Sequence, residues 1–349
     1  MATLDDLQLI KKLDREKMVD FIVDLPKQCL KAYQSNQKIG PPYPTSEIKN
    51  LIVCGLGGSA IGGDLIKSII VDYLSTPLFV IRDYRLPNYV QENSLVILVS
   101  YSGQTVETLS CAQDALKRKS KVIVLASGGD LKKIAQKNHW PIFEIDYQSQ
   151  PRAALAWLTM PVLAILEKLN LINLENFKIE ESLKLLDQFN QSFYPNILTE
   201  KNIAKYLAYF CFDHFPVIVA SEKFSAAARR WKNQFNENSK NFAFWETLPE
   251  NLHNTIEGDL PRRLKDEIVF LFFDSSLDES KLCQSAKIWQ KLLDQENIRW
   301  EAVPSFGNNL FLANFAYVLL GDWVSFYLAI LNQVDPTPVE KIKWLKSQL

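Results

Sequence analysis

Asn50-Leu-Ile-Val-Cys-Gly-Leu-Gly-Gly-Ser-Ala-Ile-Gly-Gly-Asp64 decides how the rest of the chain is read. Residues 51–54 are a short apolar run with the character of a buried strand. Gly55, Gly57 and Gly58 follow at once, and Ile61, Leu65 and Ile69 then recur at helical spacing. Strand, glycine turn and helix in succession expose main-chain N–H groups at a positive helix end, where an anion is the natural guest. A dinucleotide loop would use Gly55 and Gly57, accept Ala60 in the third place, and look to Asp83 for its acidic partner. The glycines alone leave that reading open.

A second turn of the same kind tips the balance toward a lone phosphate. Ser100-Tyr-Ser-Gly-Gln-Thr-Val-Glu-Thr-Leu109 also joins a strand to a helix, with three hydroxyls (Ser100, Ser102, Thr105) around Gly103. Capping by Ser102 or Gly103, with Glu107 in the first turn, accounts for one polar residue there, not three hydroxyls. Ser59 holds the matching place in the first turn. Neither turn ends in Gly-Lys-Ser/Thr, so a nucleoside triphosphate is not implied.

Outward from these turns, strands are expected at 78–81, 94–100, 121–126 and 141–145, with helices at 60–74, 105–117 and 130–138. A long helix is read at 152–169 and two more within 178–212. Alternation then resumes, with strands at 217–220, 267–274 and 299–303 and helices at 225–234, 279–295 and 309–331. Continuous apolar strands between helices imply parallel sheets covered on both faces, an α/β fold. Three parts follow: N-terminal helices over 1–45, ended by the turn-forming run Gly40-Pro-Pro-Tyr-Pro44, a first α/β half over 46–155, and a second over 156–349.

The 349 residues suffice for one large or two medium domains, and a net charge of −1 implies no affinity for nucleic acid or an anionic membrane. Cys29, Cys54, Cys111, Cys211 and Cys283 are scattered and lie mostly in apolar runs, which suits reduced thiols in the cytoplasm. Three dispersed histidines argue against a metal site. The charged N-terminus shows no signal-peptide pattern. The run 309–331, interrupted by Asn314 and Asp322, is expected to be a buried amphipathic helix and not a membrane span.

Gly57-Gly-Ser-Ala-Ile-Gly-Gly-Asp64 and the 100–109 motif resemble the sugar isomerase (SIS) fold. Gln150-Pro-Arg-Ala-Ala154, Asn236-Glu-Asn-Ser239, His253-Asn254 and Asp335-Pro-Thr-Pro338 narrow the resemblance to the bifunctional phosphoglucose/phosphomannose isomerases. It spans residues from about 45 to the end. It implies two SIS subdomains, a homodimer with active sites at the subunit interface, and aldose–ketose isomerisation of glucose 6-phosphate or mannose 6-phosphate to fructose 6-phosphate without a cofactor. Under it, Gly58, Ser59, Ser100, Ser102 and Thr105 bind the phosphate. Glu237 is the base, Arg152 steadies the enediolate, and His253 opens the sugar ring, lent by the other subunit. Lys346 aids ring opening, with Lys341 and Lys343 as neighbouring alternatives.

The chemistry asks for these residue types. Moving a proton between C1 and C2 through a cis-enediol needs a carboxylate base and a nearby positive charge. Glu237 is read at the end of a helix with a basic surface (Arg229, Arg230, Lys232), where negative charge opposes the helix dipole. Arg152 at a helix start is equally ill-placed for the helix, which hints at a bound anion, although an ion pair would also explain it. His139 and His214 adjoin aromatic residues and read as partly buried structural residues. A non-catalytic sugar-phosphate sensor and an aminosugar-phosphate isomerase are the competing functions. A sensor of this kind carries a basic DNA-binding segment, and the N-terminus has no such pattern.

Overall fold

The structure, a computed structural model, describes residues 3–35 and 43–348, so the 40–44 linker lies outside it up to residue 42. The N-terminal segment forms three helices, α1 (Leu7–Leu13), α2 (Met18–Val23) and α3 (Leu25–Ser35). Asp6 caps α1 by accepting from the Gln8 and Leu9 N–H groups. Asp14 accepts from Met18 and Val19 at the start of α2. The chain folds as two compact units. One is Leu25–Leu183; the other combines Met1–Asp24 with Lys184–Leu349.

Among the described residues, the Leu25–Leu183 unit holds strands β1 (Asn50–Cys54), β2 (Leu78–Ile81), β3 (Ser94–Ser100), β4 (Lys121–Ala126) and β5 (Ile142–Glu144). All pairings are parallel, in the order β2-β1-β3-β4-β5. Every residue of β3 is buried, as its unbroken apolar run requires of a strand covered on both faces. The helices are α4 (Gly58–Ile70), α5 (Val106–Lys117), α6 (Gly129–Lys137) and α7 (Leu155–Lys168), the last preceded by a 3-10 turn over Pro151–Ala154. Alternate residues Ile52, Cys54, Val96, Leu98, Val122 and Val124 face one way and pack on Cys111, Ala112, Leu131 and Ala135 of α5 and α6. Helix α7 packs on α3 and α4 in this unit, which extends to Leu183, past the division read at 155/156.

Helix α8 (Ile179–Gln191) runs across the boundary between the units. The second unit continues with α9 (Ile203–Cys211), β6 (Phe215–Ser221), α10 (Ser225–Gln234), β7 (Phe244–Leu248), β8 (Ile268–Asp274), α11 (Ser280–Gln295), β9 (Arg299–Pro304), α12 (Leu310–Leu331) and α13 (Glu340–Ser347). Its sheet is also parallel, in the order β7-β6-β8-β9. Strand β7 is an addition to the sequence reading. It is an edge strand, exposed at Phe244 and half-buried at the next three residues, so it lacks a continuous apolar run.

Helix α12 differs from expectation. It is the one helix among the described residues long and apolar enough to cross a membrane, and it is buried within the protein. All 22 of its residues are buried, so it has no polar face and is not amphipathic. Asn314 donates to the carbonyls of Lys223 and Leu310. Asp322 accepts from Arg230 Nε at 3.1 Å, Arg230 Nη2 at 2.7 Å and Gln234 Nε2 at 2.8 Å. Gly321 lets Trp231 of α10 approach, since a Cβ there would lie 2.2 Å from the indole nitrogen.

Candidate active site

In each sheet, consecutive crossovers leave the first strand in opposite directions, which opens a crevice beyond the carboxyl ends of two neighbouring strands. In the Leu25–Leu183 unit those strands are β1 and β3, and the two motif turns leave them there. Gly57 takes φ +52° and Gly103 φ +65°, conformations that disfavour a side chain. A Cβ on Gly103 would also meet the Gly128 carbonyl oxygen at 1.9 Å, so the turn is pressed against the β4–α6 loop.

Two of the motif's three hydroxyls come together, while the third, Ser102 Oγ, accepts from the Gln104 N–H. Ser100 Oγ and Thr105 Oγ1 are 2.9 Å apart, and Ser100 Oγ accepts from the Gly103 N–H. Ser59 Oγ accepts from the Tyr101 N–H at 3.4 Å, tying the first turn to the second. Ser59 and Ser100 are buried, Thr105 is half-buried, and Ser102 is exposed. Thr105 occupies the N-cap of α5, yet its side chain makes no cap; Gly57 at the N-cap of α4 has none to offer. Two helix N-termini are thus left without side-chain capping beside the hydroxyls of Ser59, Ser100 and Thr105, a disposition suited to an anion.

Arg152 lies in the 3-10 turn ahead of α7 and is 4% exposed. That turn touches the first motif: a Cβ on Gly58 would come 3.0 Å from the Pro151 carbonyl oxygen. The structure therefore gathers Gly58, Ser59, Ser100, Thr105 and the Arg152 turn around one sheet edge. Tyr101, between the two motif serines, was not singled out by sequence, because nothing local distinguishes it from a spacer.

In the other unit, Glu237 sits half-buried in a π-helical turn, Phe235–Ser239, that prolongs α10. Such turns displace the helical register and recur at functional sites. The turn is anchored on α12: Asn238 Nδ2 donates to Ser325 Oγ at 3.0 Å, and Asn332 donates to the Ser239 carbonyl. The basic surface expected on α10 needs correction. Arg230 is buried against Asp322, and Arg229 stacks over Trp245.

His253 ends a 3-10 turn over Glu250–His253 and is exposed. His214 is structural, its Nδ1 donating to the Phe212 carbonyl and its Nε2 accepting from Arg299. His139 is exposed at φ +54°, contrary to the partly buried reading. Lys341, Lys343 and Lys346 are all exposed on α13, where Lys343 pairs with Glu340. Thr337 is buried ahead of that helix. Among the described residues, no group of three His, Cys, Asp or Glu side chains is disposed to hold a metal ion.

Residues 200–349 match the bacterial phospho-glucose isomerase C-terminal SIS domain. A solved structure of the C-terminal domain of glucosamine-fructose-6-phosphate aminotransferase from Francisella tularensis shares the fold. It has a TM-score of 0.71 at 15% identity and covers 92% of this chain and 98% of that one. The bifunctional phosphoglucose/phosphomannose isomerase of Thermoplasma acidophilum is 31% identical over 92% of this chain and 96% of its own. That of Caldicellulosiruptor bescii is 37% identical over 95% of this chain and 98% of its own. Two parallel sheets with hydroxyl-lined turns at the carboxyl edge of the first, and identity sustained across nearly the whole length, lead to one conclusion: the chain belongs to the bifunctional phosphoglucose/phosphomannose isomerase family.

Proposed function

We propose that the protein interconverts glucose 6-phosphate or mannose 6-phosphate with fructose 6-phosphate. The observation that carries the reading is the pair of N-termini without side-chain caps at α4 and α5, beside Ser59, Ser100 and Thr105. These turns, with Gly58 and the exposed Ser102, hold the phosphoryl group through N–H and O–H donors.

Glu237 takes the proton from C2 of the open-chain aldose and returns it to C1 of the cis-enediol; the reverse path gives back either aldose. Arg152 neutralises charge that develops on the enediolate oxygens, and its burial strengthens that interaction. His253 of the partner subunit and a lysine of α13, Lys346, handle the ring-oxygen proton when the sugar opens. The working unit is a homodimer with its active sites at the subunit interface. The free cysteines support a reducing, cytoplasmic setting, with four of the five buried.

The test is a coupled assay on fructose 6-phosphate in the presence of a chelator, following glucose 6-phosphate and mannose 6-phosphate separately. Both products are expected. Tight binding of the sugar phosphate without turnover would favour a sensor, and turnover only of an aminosugar phosphate would redirect the assignment.

A further inference from the structure

Tyr101 is the residue between Ser100 and Ser102 that the phosphate reading leaves unused. Its hydroxyl makes two hydrogen bonds, both to the strand-to-helix segment that leads into Arg152. It donates to the Tyr147 carbonyl at 2.6 Å and accepts from the Ser149 N–H at 2.8 Å. Ser149 Oγ in turn donates to the Gln150 carbonyl, and the Ala153 N–H bonds back to that same oxygen at 2.8 Å, which closes the turn that presents Arg152.

The main chain of Tyr101 is held just as firmly. Its N–H donates to Ser59 Oγ. Its carbonyl accepts from both the N–H and the hydroxyl of Ser127 in the β4–α6 loop. One residue thus joins the first turn, the second turn, the β4–α6 loop and the approach to Arg152. A phenol that both donates and accepts along one segment fixes that segment's direction and height, and not merely its proximity.

We propose that Tyr101 is a positioning residue that sets the Arg152 guanidinium against the enediolate. It does so from inside the phosphate turn, so seating the phosphate and placing the positive charge are a single mechanical event. The inference rests on the isomerase reading of Arg152. Phosphate binding itself runs through the main chain and hydroxyls, which the tyrosine ring does not supply.

The experiment compares Tyr101→Phe with the parent and in an Arg152→Ala background. In the parent, kcat should fall about tenfold to a hundredfold, the range expected when a charged group is misplaced by about an ångström. KM for fructose 6-phosphate should stay within about twofold, because uniform binding is untouched. Affinity for a hydroxamate analogue of the enediolate should drop by the same factor as kcat/KM, while affinity for the corresponding sugar-alcohol phosphate holds. In the Arg152→Ala background the tyrosine change should cost almost nothing further, the non-additivity of two residues acting through one interaction.

Unchanged kcat, or equal losses with and without Arg152, would overturn the inference while leaving an active wild type and the isomerase reading intact. A wild type that does not isomerise overturns both. Should Tyr101→Phe lose its thermal transition, Ser149→Pro removes the N–H at the far end of the same bond and puts the same question.

Discussion

A single carboxylate bears the chemistry proposed for Glu237, and its place in a π-helical turn is the residue-scale fact behind it. Glu237→Gln keeps the shape and removes the base, so kcat should fall by roughly 10²–10⁴ while sugar-phosphate affinity by calorimetry stays close to wild type. Undiminished turnover would dismiss the role. Ser102 is the exposed hydroxyl of the second turn, and its Oγ accepts from the Gln104 N–H at 3.2 Å, leaving its own O–H to donate to a ligand. Ser102→Ala should weaken sugar-phosphate binding by about 1–3 kcal/mol with a smaller change in kcat; a loss confined to kcat would move the phosphate elsewhere. Both turns were legible in the sequence because glycine and hydroxyl signals act within a few residues. Arg230 was not, since the face of α10 that meets α12 depends on residues some ninety positions away. Tyr101 was hidden for the same reason: its partners Tyr147 and Ser149 lie beyond two further strands.

Among the elements, α12 is the structural axis of its unit, and its buried Asp322 is the point where it is most exposed to damage. The Arg230–Asp322 pair has side chains only 4% and 5% exposed. Asp322→Ala would take the paired carboxylate from a buried guanidinium and should cost about 3–5 kcal/mol in urea unfolding, far more than an exposed ion pair is worth. A change below about 1 kcal/mol would mean that Arg230 finds water or another acceptor. Asp278, in the loop between β8 and α11, gives a pH-dependent counterpart. Burial raises its carboxyl above the ordinary range, and its Oδ1 has no hydrogen-bond partner among the described residues. Ser221 and Lys223 lie near enough to soften that rise, Ser221 without a hydrogen bond of ordinary geometry. With the folded pKa above the unfolded one, the native state binds more protons between the two, so stability is lost as pH rises through that window. Asp278→Asn should therefore melt higher than wild type at pH 7.5, and the gap should close toward pH 4; an unchanged gap would locate the effect elsewhere. Strands such as β3 could be read because burial on both faces leaves an unbroken apolar run. Strand β7 could not, because an edge position lets Phe244, Trp245 and Glu246 mix freely.

For the whole molecule, the decisive question is whether His253 serves the site of its own chain or of a second copy. Glu237→Gln and His253→Ala variants, each inactive alone, should recover about a quarter of wild-type activity when dissociated and reassociated together. Half of a random mixture would be mixed dimers, each with one intact site. No recovery, with mixed dimers demonstrated, would place both residues in one chain's own site. The α/β architecture was legible in the alternation of elements, but the composition of the units was not. Nothing in residues 3–24 announces that they belong with residues far beyond them; only packing, such as α2 on α12, reveals it. That division has a bearing on how the protein is made. Leu25–Leu183 is continuous, so it has all its parts while translation is still under way. Its companion is split around that continuous stretch, so it cannot close until α12 has left the ribosome. Until then the first two helices wait without their partner. The segment they wait for is itself water-averse along its whole length, so the interval before the three meet is the one in which the nascent chain most needs shielding.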